Sequence, residues 1–353
     1  MRILQLNPFY LPYNGGIEKR IAAFSSRYSG RHQVFVLTSR LPGTVEEETV
    51  HGAKVIRLPS RYFGSYNPPY VNSDGIGEAL DTIGPDIIDY HYRWSRSYNS
   101  AFFGSSVPRV MTFHNLYGEG TGLLRVLSIL NDSLFVKRLR NIDHIMPVSG
   151  YIRQQLLEKG ISDSMLTTSY NGVDPHSCVT TDERFALFIG RLVPTKGLGT
   201  LVRAAVASKV PLKIAGSGPM LEKLRKVCRG HDIEILGGVS EEQKEKLLSS
   251  CSFMVLPSLQ EAFGIAALEG MMHSKPVIAS DAGGLPEVVG EAGIVVRRGD
   301  AAMLAGAMKT YWNDKSLLSE KGELARKRAA EFSWDRTAGL MDKVYSSVLE
   351  SAA

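Results

Sequence analysis

Short apolar runs recur along the chain. Turns rich in glycine, proline or asparagine follow them, with helix-spaced segments in between. In the first half the runs are MRILQLN, HQVFVLTS, KVIRLP, DIIDYHY, VPRVMTFHN and HIMPVS. In the second half they are RFALFIG, PLKIAGSGP, IEILGGVS, CSFMVLP, PVIAS and GIVV. Runs of this kind suit strands buried on both faces, and their alternation with helices predicts parallel α/β sheets. The spacing predicts helices from Ile17 to about Tyr28, across SGYIRQQLLEKG (capped by Ser149, ended by Gly160), across LGTLVRAAV, and at the end of the chain around Trp334. Residues 60–75, rich in Tyr, Pro, Asn and Gly, read as a long loop. A second cluster of Asn, Gly, Asp and Pro places a linker at about residues 171–182.

A chain of 353 residues with 44% hydrophobic and 22% charged residues is long enough for roughly two soluble globular domains. Cys178, Cys228 and Cys251 are too few and too scattered for a disulfide framework or a zinc site, as expected in a reducing cytoplasm. The amino terminus lacks the apolar core of a signal peptide, and no apolar run approaches the roughly 20 residues of a membrane span. The net charge is +5, of which +4 falls in residues 1–170. That asymmetry suits an anionic acceptor or membrane face. No dense Lys/Arg stripe points to nucleic acid.

Candidate chemistry gathers around residues 258–272, SLQEAFGIAALEGMM. Following CSFMVLP, this is a turn and a helix start, with AALEGMMHSKP forming a short helix ended by Pro276. The backbone N–H groups near Phe263, Gly264 and Ile265 would point out of the helix amino terminus and favour a phosphate. Glu269 lies five residues beyond Gly264; an ionised carboxylate is an acceptor suited to two neighbouring hydroxyls, such as those of a ribose. Glu261 precedes the helix and can face the other way, towards a sugar; the alternative is that Glu261 and Glu269 are ordinary surface glutamates. Arg191 and Lys196 flank a turn after the strand RFALFIG; they either hold a diphosphate or are solvated surface cations. Gly15-Gly16 joins a first strand to a first helix, where a doubly wound sheet takes its ligand, placing Gly16 close to a phosphate; the alternative is a plain tight turn. His114 ends the strand VMTFH, either as a structural residue or at the ligand-binding edge of a parallel sheet.

These residues carry a resemblance. Glu261 and Glu269 have the E-x7-E spacing, and GRLVPTKG has the G-R-x-x-x-x-K-G pattern, of retaining glycosyltransferases of family 4. PVIASDAGGLPEVV and GIVVRRGD continue the likeness, which spans essentially the whole chain and is most specific in the second half. The resemblance implies the GT-B fold: two Rossmann-like domains with a cleft between them that holds the donor. The first domain, residues 1–170, would bind the acceptor, and the second, 171–332, the nucleotide sugar; a last helix at 333–353 would cross back onto the first. The resemblance makes His114 an active-site residue facing the donor sugar and puts the nucleotide base near Gly237 to Val239. The family commonly has His-Asp where this chain has His114-Asn115, and Asn cannot supply that charge. The implied activity is retaining transfer of a hexose such as mannose or glucose. The donor would be a GDP- or UDP-linked sugar and the acceptor a sugar, polysaccharide or lipid-linked hydroxyl. No cofactor or metal is implied, in keeping with the lack of any Asp-x-Asp. A nucleotide-sugar epimerase and a non-catalytic nucleotide-sugar-binding protein are the alternatives on the same fold.

LLRVLSILNDSLFVKRLR, residues 123–140, places Leu123, Leu127, Leu130 and Leu134 at helical spacing beside Arg125, Lys137, Arg138 and Arg140. Such a helix either covers the first domain with its leucines or lies on an anionic membrane surface. The second case would put the enzyme at the inner face of the membrane, with a lipid or lipid-linked acceptor.

Overall fold

A computed structural model describes residues 1–63, 69–92, 94–120, 122–175 and 180–352. Cys178 and part of the expected linker lie outside the described residues. The chain forms two compact units. One comprises Met1–Gly118, Val126–Gly172 and Trp334–Ala353; the other comprises Glu119–Arg125 and Val173–Ser333.

The first unit holds β1 (Arg2–Leu6), β2 (Gln33–Ser39), β3 (Glu47–Val50), β4 (Ala53–Leu58), β5 (Ser60–Phe63), β6 (Tyr70–Ser73), β7 (Ile87–Tyr90), β8 (Arg109–Phe113) and β9 (His144–Pro147). Seven of them form one sheet in the order β3-β4-β2-β1-β7-β8-β9. The central strands are apolar along their length because both faces are covered; all four residues of β7 are buried. Leu4 of β1 registers with Phe35 on one side and Ile88 on the other, all parallel. Only the edge strand β3 runs antiparallel, against β4. Its sequence, EETV, has too little apolar character to announce a strand, and sheet pairing supplies what propensity does not. The expected loop at 60–75 is partly a hairpin, with β5 and β6 paired from Ser60↔Ser73 to Phe63↔Tyr70. Residues 64–68 lie outside the described residues.

Helix Gly16–Tyr28 and the terminal helix Trp334–Ala352 share a core with this sheet. The terminal helix buries Trp334, Thr337, Ala338, Met341, Val344, Tyr345 and Val348. That i, i+3, i+4, i+7 spacing is one helix face. Ala338, Met341, Val344, Tyr345 and Val348 share one core cluster with Ile3, Phe24, Val34, Ile87 and Val110. Each large side chain so buried contributes about 1.5–3 kcal/mol.

The second unit holds β10 (Ala186–Ile189), β11 (Leu212–Ala215), β12 (Ile233–Gly237), β13 (Phe253–Leu256), β14 (Val277–Ser280) and β15 (Ile294–Val296). They form one parallel sheet in the order β12-β11-β10-β13-β14-β15. Of the helices between them, Glu241–Ser250 begins at a side-chain cap, Ser240, which forms a reciprocal capping box with Gln243.

Both sheets reverse direction at one point. In the first unit the chain builds outward from β1 through β2 and β4, then returns to the other side of β1 with β7. In the second it builds from β10 through β11 and β12, then returns with β13. A crevice opens at the carboxyl ends of strands where the order reverses, and ligands of open α/β sheets bind there.

Candidate functional site

At the reversal point of the second unit, three loops are bound together by their backbones. After β10, the N–H of Gly190 donates to Ala215 O (3.1 Å) and that of Leu192 to Ser217 O (2.8 Å). A Cβ on Gly216 would stand 1.8 Å from Gly190 O, and one on Gly218 2.5 Å from Leu192 O. GSGP, uninformative as a sequence, is therefore a backbone-to-backbone contact that a side chain would prevent. On the other side, the N–H of Leu259 donates to Thr195 O at 2.7 Å, and a Cβ on Gly197 would lie 1.9 Å from Pro257 O. The turn carrying Arg191 and Lys196 is thus fixed between the loops that follow β11 and β13.

Lys196 closes a single 3-10 turn, Pro194–Lys196, and its Nζ lies 2.5 Å from Glu261 Oε2. Ser258 Oγ donates to the same oxygen at 3.3 Å. Both partners are 17% exposed. The residues expected to serve diphosphate and sugar separately are here one ion pair. Glu269 is also paired. Lys244 Nζ, on helix Glu241–Ser250, reaches Glu269 Oε1 at 3.1 Å and Glu241 Oε2 at 2.5 Å. Nothing in EEQKEKLLSS separates Lys244 from an ordinary surface lysine; its burial comes from the neighbouring helix.

Helix Ile265–Met272 starts at Gly264, which has φ 107° and no side chain capping the helix. A Cβ there would meet Leu285 at 2.6 Å, so the backbone itself forms this surface. Ile265 is the first helical residue, half-buried. The Phe263 ring is turned away: it is 2% exposed and packs edge-on to Phe332 at 5.9 Å. Of Phe263, only the backbone remains for a ligand. Val239, half-buried, follows the outer strand β12, immediately before the Ser240 cap. Arg191, also half-buried, directly follows Gly190.

In the first unit, Gly16 opens helix Gly16–Tyr28 after β1. The carboxylate of Glu18 folds onto this helix start. Its Oε2 would be 2.5 Å from a Cβ on Gly15, and Asn7 Nδ2 donates to its Oε1 at 3.2 Å. A phosphate brought to Gly16 would meet that carboxylate, so this helix start differs from the one at Gly264.

His114 lies one residue past β8, half-buried, with Nε2 3.2 Å from Nδ1 of His91. His91 follows β7, is fully buried, and pairs through Nε2 with Gln5 Oε1 at 2.7 Å. Gln5 Nε2 donates to the Tyr345 hydroxyl (3.0 Å), which donates to Asp89 Oδ2 (2.5 Å). Thr112 donates to Asp89 from both its backbone N–H and its hydroxyl. Burial holds His91 and His114 well below the usual imidazole range, helped by the positive charge of Arg20. Burial pushes the Asp89 carboxyl up to about 6, opposed by the Tyr345 hydrogen bond, Arg20 and Thr112. The sequence offered one signal for His91: like His114, it follows an apolar strand.

The first half, residues 14–177, matches the Glycosyltransferase Family 4 domain, and residues 177–328 match Glycosyl transferases group 1. An uncharacterised glycosyltransferase of Methanocaldococcus jannaschii is 29% identical across 99% of both chains. A GDP-mannose-dependent alpha-(1-6)-phosphatidylinositol dimannoside mannosyltransferase of Mycobacterium tuberculosis is 26% identical across 97% of this chain and 95% of that one. Among solved structures, sucrose-phosphate synthase from Thermosynechococcus elongatus superimposes with a TM-score of 0.80 at 19% identity, covering all of both chains. Anabaena HepE in complex with UDP and glucose does so with 0.77 at 19%, covering 98% and 100%. Matched in both halves and alike in fold, the chain belongs to the family 4, group 1 glycosyltransferases and is a transferase of the GT-B fold.

Proposed function

We propose that this enzyme moves a hexose, such as mannose or glucose, from a nucleoside diphosphate sugar to a hydroxyl acceptor, with retention at the anomeric carbon and without a metal. One observation carries this reading: around β10 and β13, two cations, an uncapped helix start and two carboxylates lie on neighbouring loops and the helix that follows β13. Arg191, Lys196 and the N–H groups at Gly264 and Ile265 suit a diphosphate, and Glu269 suits ribose hydroxyls. As the anomeric C–O bond breaks, its electron pair stays on the diphosphate, and Arg191 and Lys196 stabilise the growing charge. In the second unit Glu261 takes the hexose, and His114 keeps the role towards the donor sugar that the family resemblance implies. Their work is placement and charge stabilisation, with the acceptor proton passing to the departing phosphate. Since Lys196 is paired with Glu261 in the protein alone, donor binding redistributes that pair: the lysine turns to phosphate and the carboxylate to sugar hydroxyls.

For the donor, a GDP- or UDP-linked sugar is favoured by two similar proteins, the GDP-mannose-dependent mannosyltransferase and HepE with UDP-glucose. For the acceptor, helix Gly122–Leu139 favours a lipid or lipid-linked hydroxyl at an anionic membrane face, with the enzyme peripheral on the cytoplasmic side. Val126, Leu127, Ile129, Leu130 and Leu134 are exposed, while Ser128, Asp132, Phe135, Val136 and Leu139 face inward. The leucines at 127, 130 and 134 therefore do not cover the first unit as one reading expected. Arg125, Lys137, Arg138 and Arg140 are exposed beside them. The Leu123 side chain lies outside the described residues. Among the described residues, no helix is long and apolar enough to cross a membrane.

The test is a thermal-shift screen of GDP, UDP and their sugars, followed by incubation with the labelled donor that shifts most. Transfer with retained configuration, undiminished by a chelator, is expected. An epimerised donor, inverted product or binding without transfer overturns the reading. Sedimentation with vesicles of increasing anionic lipid content should show binding that weakens with salt; indifference to both favours a soluble acceptor.

A further inference from the structure

The polar chain beneath His114 runs through an apolar core. Asp89, His91, Gln5, Thr112 and Tyr345 are each fully buried. Tyr345 belongs to the same cluster as Ile3, Phe24, Val36 and Ile87. Apolar side chains of similar size would fill this space with less desolvation, so a fully hydrogen-bonded polar chain here calls for a role other than stability.

Its donors and acceptors can be assigned in one direction. Both donors of Thr112 go to Asp89, leaving the carboxylate to accept from the Tyr345 hydroxyl. The Tyr345 oxygen then accepts from Gln5 Nε2. That orientation turns Gln5 Oε1 towards His91, so Nε2 of His91 must carry the proton. Its Nδ1 is consequently bare and can only accept, which puts the proton of His114 on Nε2. Asp89 Oδ2, 3.6 Å from His91 Nε2, favours the same arrangement.

We infer that Asp89, Tyr345, Gln5 and His91 are positioning residues that fix His114 as the Nε2–H tautomer, leaving Nδ1 as its acceptor atom. The inference rests on the proposed role of His114 towards the donor sugar, and it assigns that role a polarity. His114 would receive a hydrogen bond from a sugar hydroxyl through Nδ1. Because Tyr345 lies on helix Trp334–Ala352, the terminal helix takes part in setting the chemistry of a strand-end residue in the first unit.

The deciding experiment is a two-bond proton–nitrogen spectrum of the full-length protein with 15N-labelled histidine at pH 7. Both His91 and His114 are expected as Nε2–H tautomers. Tyr345→Phe should give a mixture at His114, and turnover should fall about tenfold while donor KM changes less than about twofold. A merely structural loss would lower the folded fraction and leave the tautomer of the folded protein unmoved. Gln5→Leu interrupts the same chain should Tyr345→Phe not fold. An Nδ1–H form of His114 in the wild type, or an unaltered tautomer in both variants, overturns the inference. Full transfer by His114→Ala would instead overturn the role of His114 while leaving the tautomer as assigned.

Discussion

The two units share a plan and differ in what they place on it. Each is a sheet, parallel but for the edge strand β3, whose order reverses once, and each brings candidate residues to the carboxyl ends of its strands near the reversal. In the second unit these residues are charges in pairs, half-buried Lys196 with half-buried Glu261 and buried Lys244 with half-buried Glu269. In the first, a half-buried imidazole stands on a fully buried polar chain, and the helix start at Gly16 carries its own carboxylate. Paired charges can exchange partners when an anionic ligand arrives. A buried chain cannot, because breaking any link leaves an unsatisfied group. The same topology thus carries charge pairs able to change partners in one unit and a buried polar chain of fixed direction in the other.

The largest effect separating the two should come from the cations. Arg191→Ala and Lys196→Ala should each lower turnover about 10²- to 10³-fold, with smaller changes in donor KM, because charge on the diphosphate peaks in the transition state. Steady-state kinetics with and without chelator measure this; a change confined to donor KM would make them binding residues only.

Gly216→Ala should follow, at about 3 kcal/mol of destabilisation, since φ is 145° and its Cβ would overlap the Gly190 carbonyl. Amide exchange should report the loss in β10 and β11 while β1 and β7 remain protected. Equal loss in both units would show that they unfold together.

Glu269→Gln should weaken donor binding about 10- to 100-fold, the worth of a charged hydrogen bond of roughly 1.5–3 kcal/mol. Calorimetry with the nucleotide decides it. Unchanged affinity would leave Glu269 as the partner of Lys244 and nothing more.

The smallest effect concerns pH. Neutral His91 has its folded pKa held below the unfolded value of about 6.5, so the unfolded chain takes up the proton first. Its stability contribution is present above that value and is lost on acidification, at no more than about 1.4 kcal/mol per pH unit. Asp89 acts oppositely. Raised to about 6, it stabilises at low pH, and that contribution is lost as pH rises through about 6. Amide exchange in β1 and β7 at pH 7 and pH 5.5 should show a shallower loss in His91→Gln than in the wild type. An equal slope would mean that His91 does not titrate on unfolding.

Local order was legible in the sequence because its causes lie within a few residues. An apolar run, a glycine turn and a helix start suffice to place Glu261, Gly264 and Glu269, and likewise Arg191 and Lys196 after β10. The edge strand β3 and the hairpin β5–β6 were not legible, since their partners rather than their composition make them strands. Nor could any local pattern show what the candidate residues touch. Lys196 and Glu261 are 65 residues apart, Lys244 and Glu269 25, and Asp89 and Tyr345 256. Strand order and helix packing decide those meetings. Sequence by itself determined which chemical groups stand at the strand ends. Only the tertiary structure decided which are paired, which are buried and which way their protons point, because charge pairing and desolvation depend on neighbours that the chain brings together when it folds.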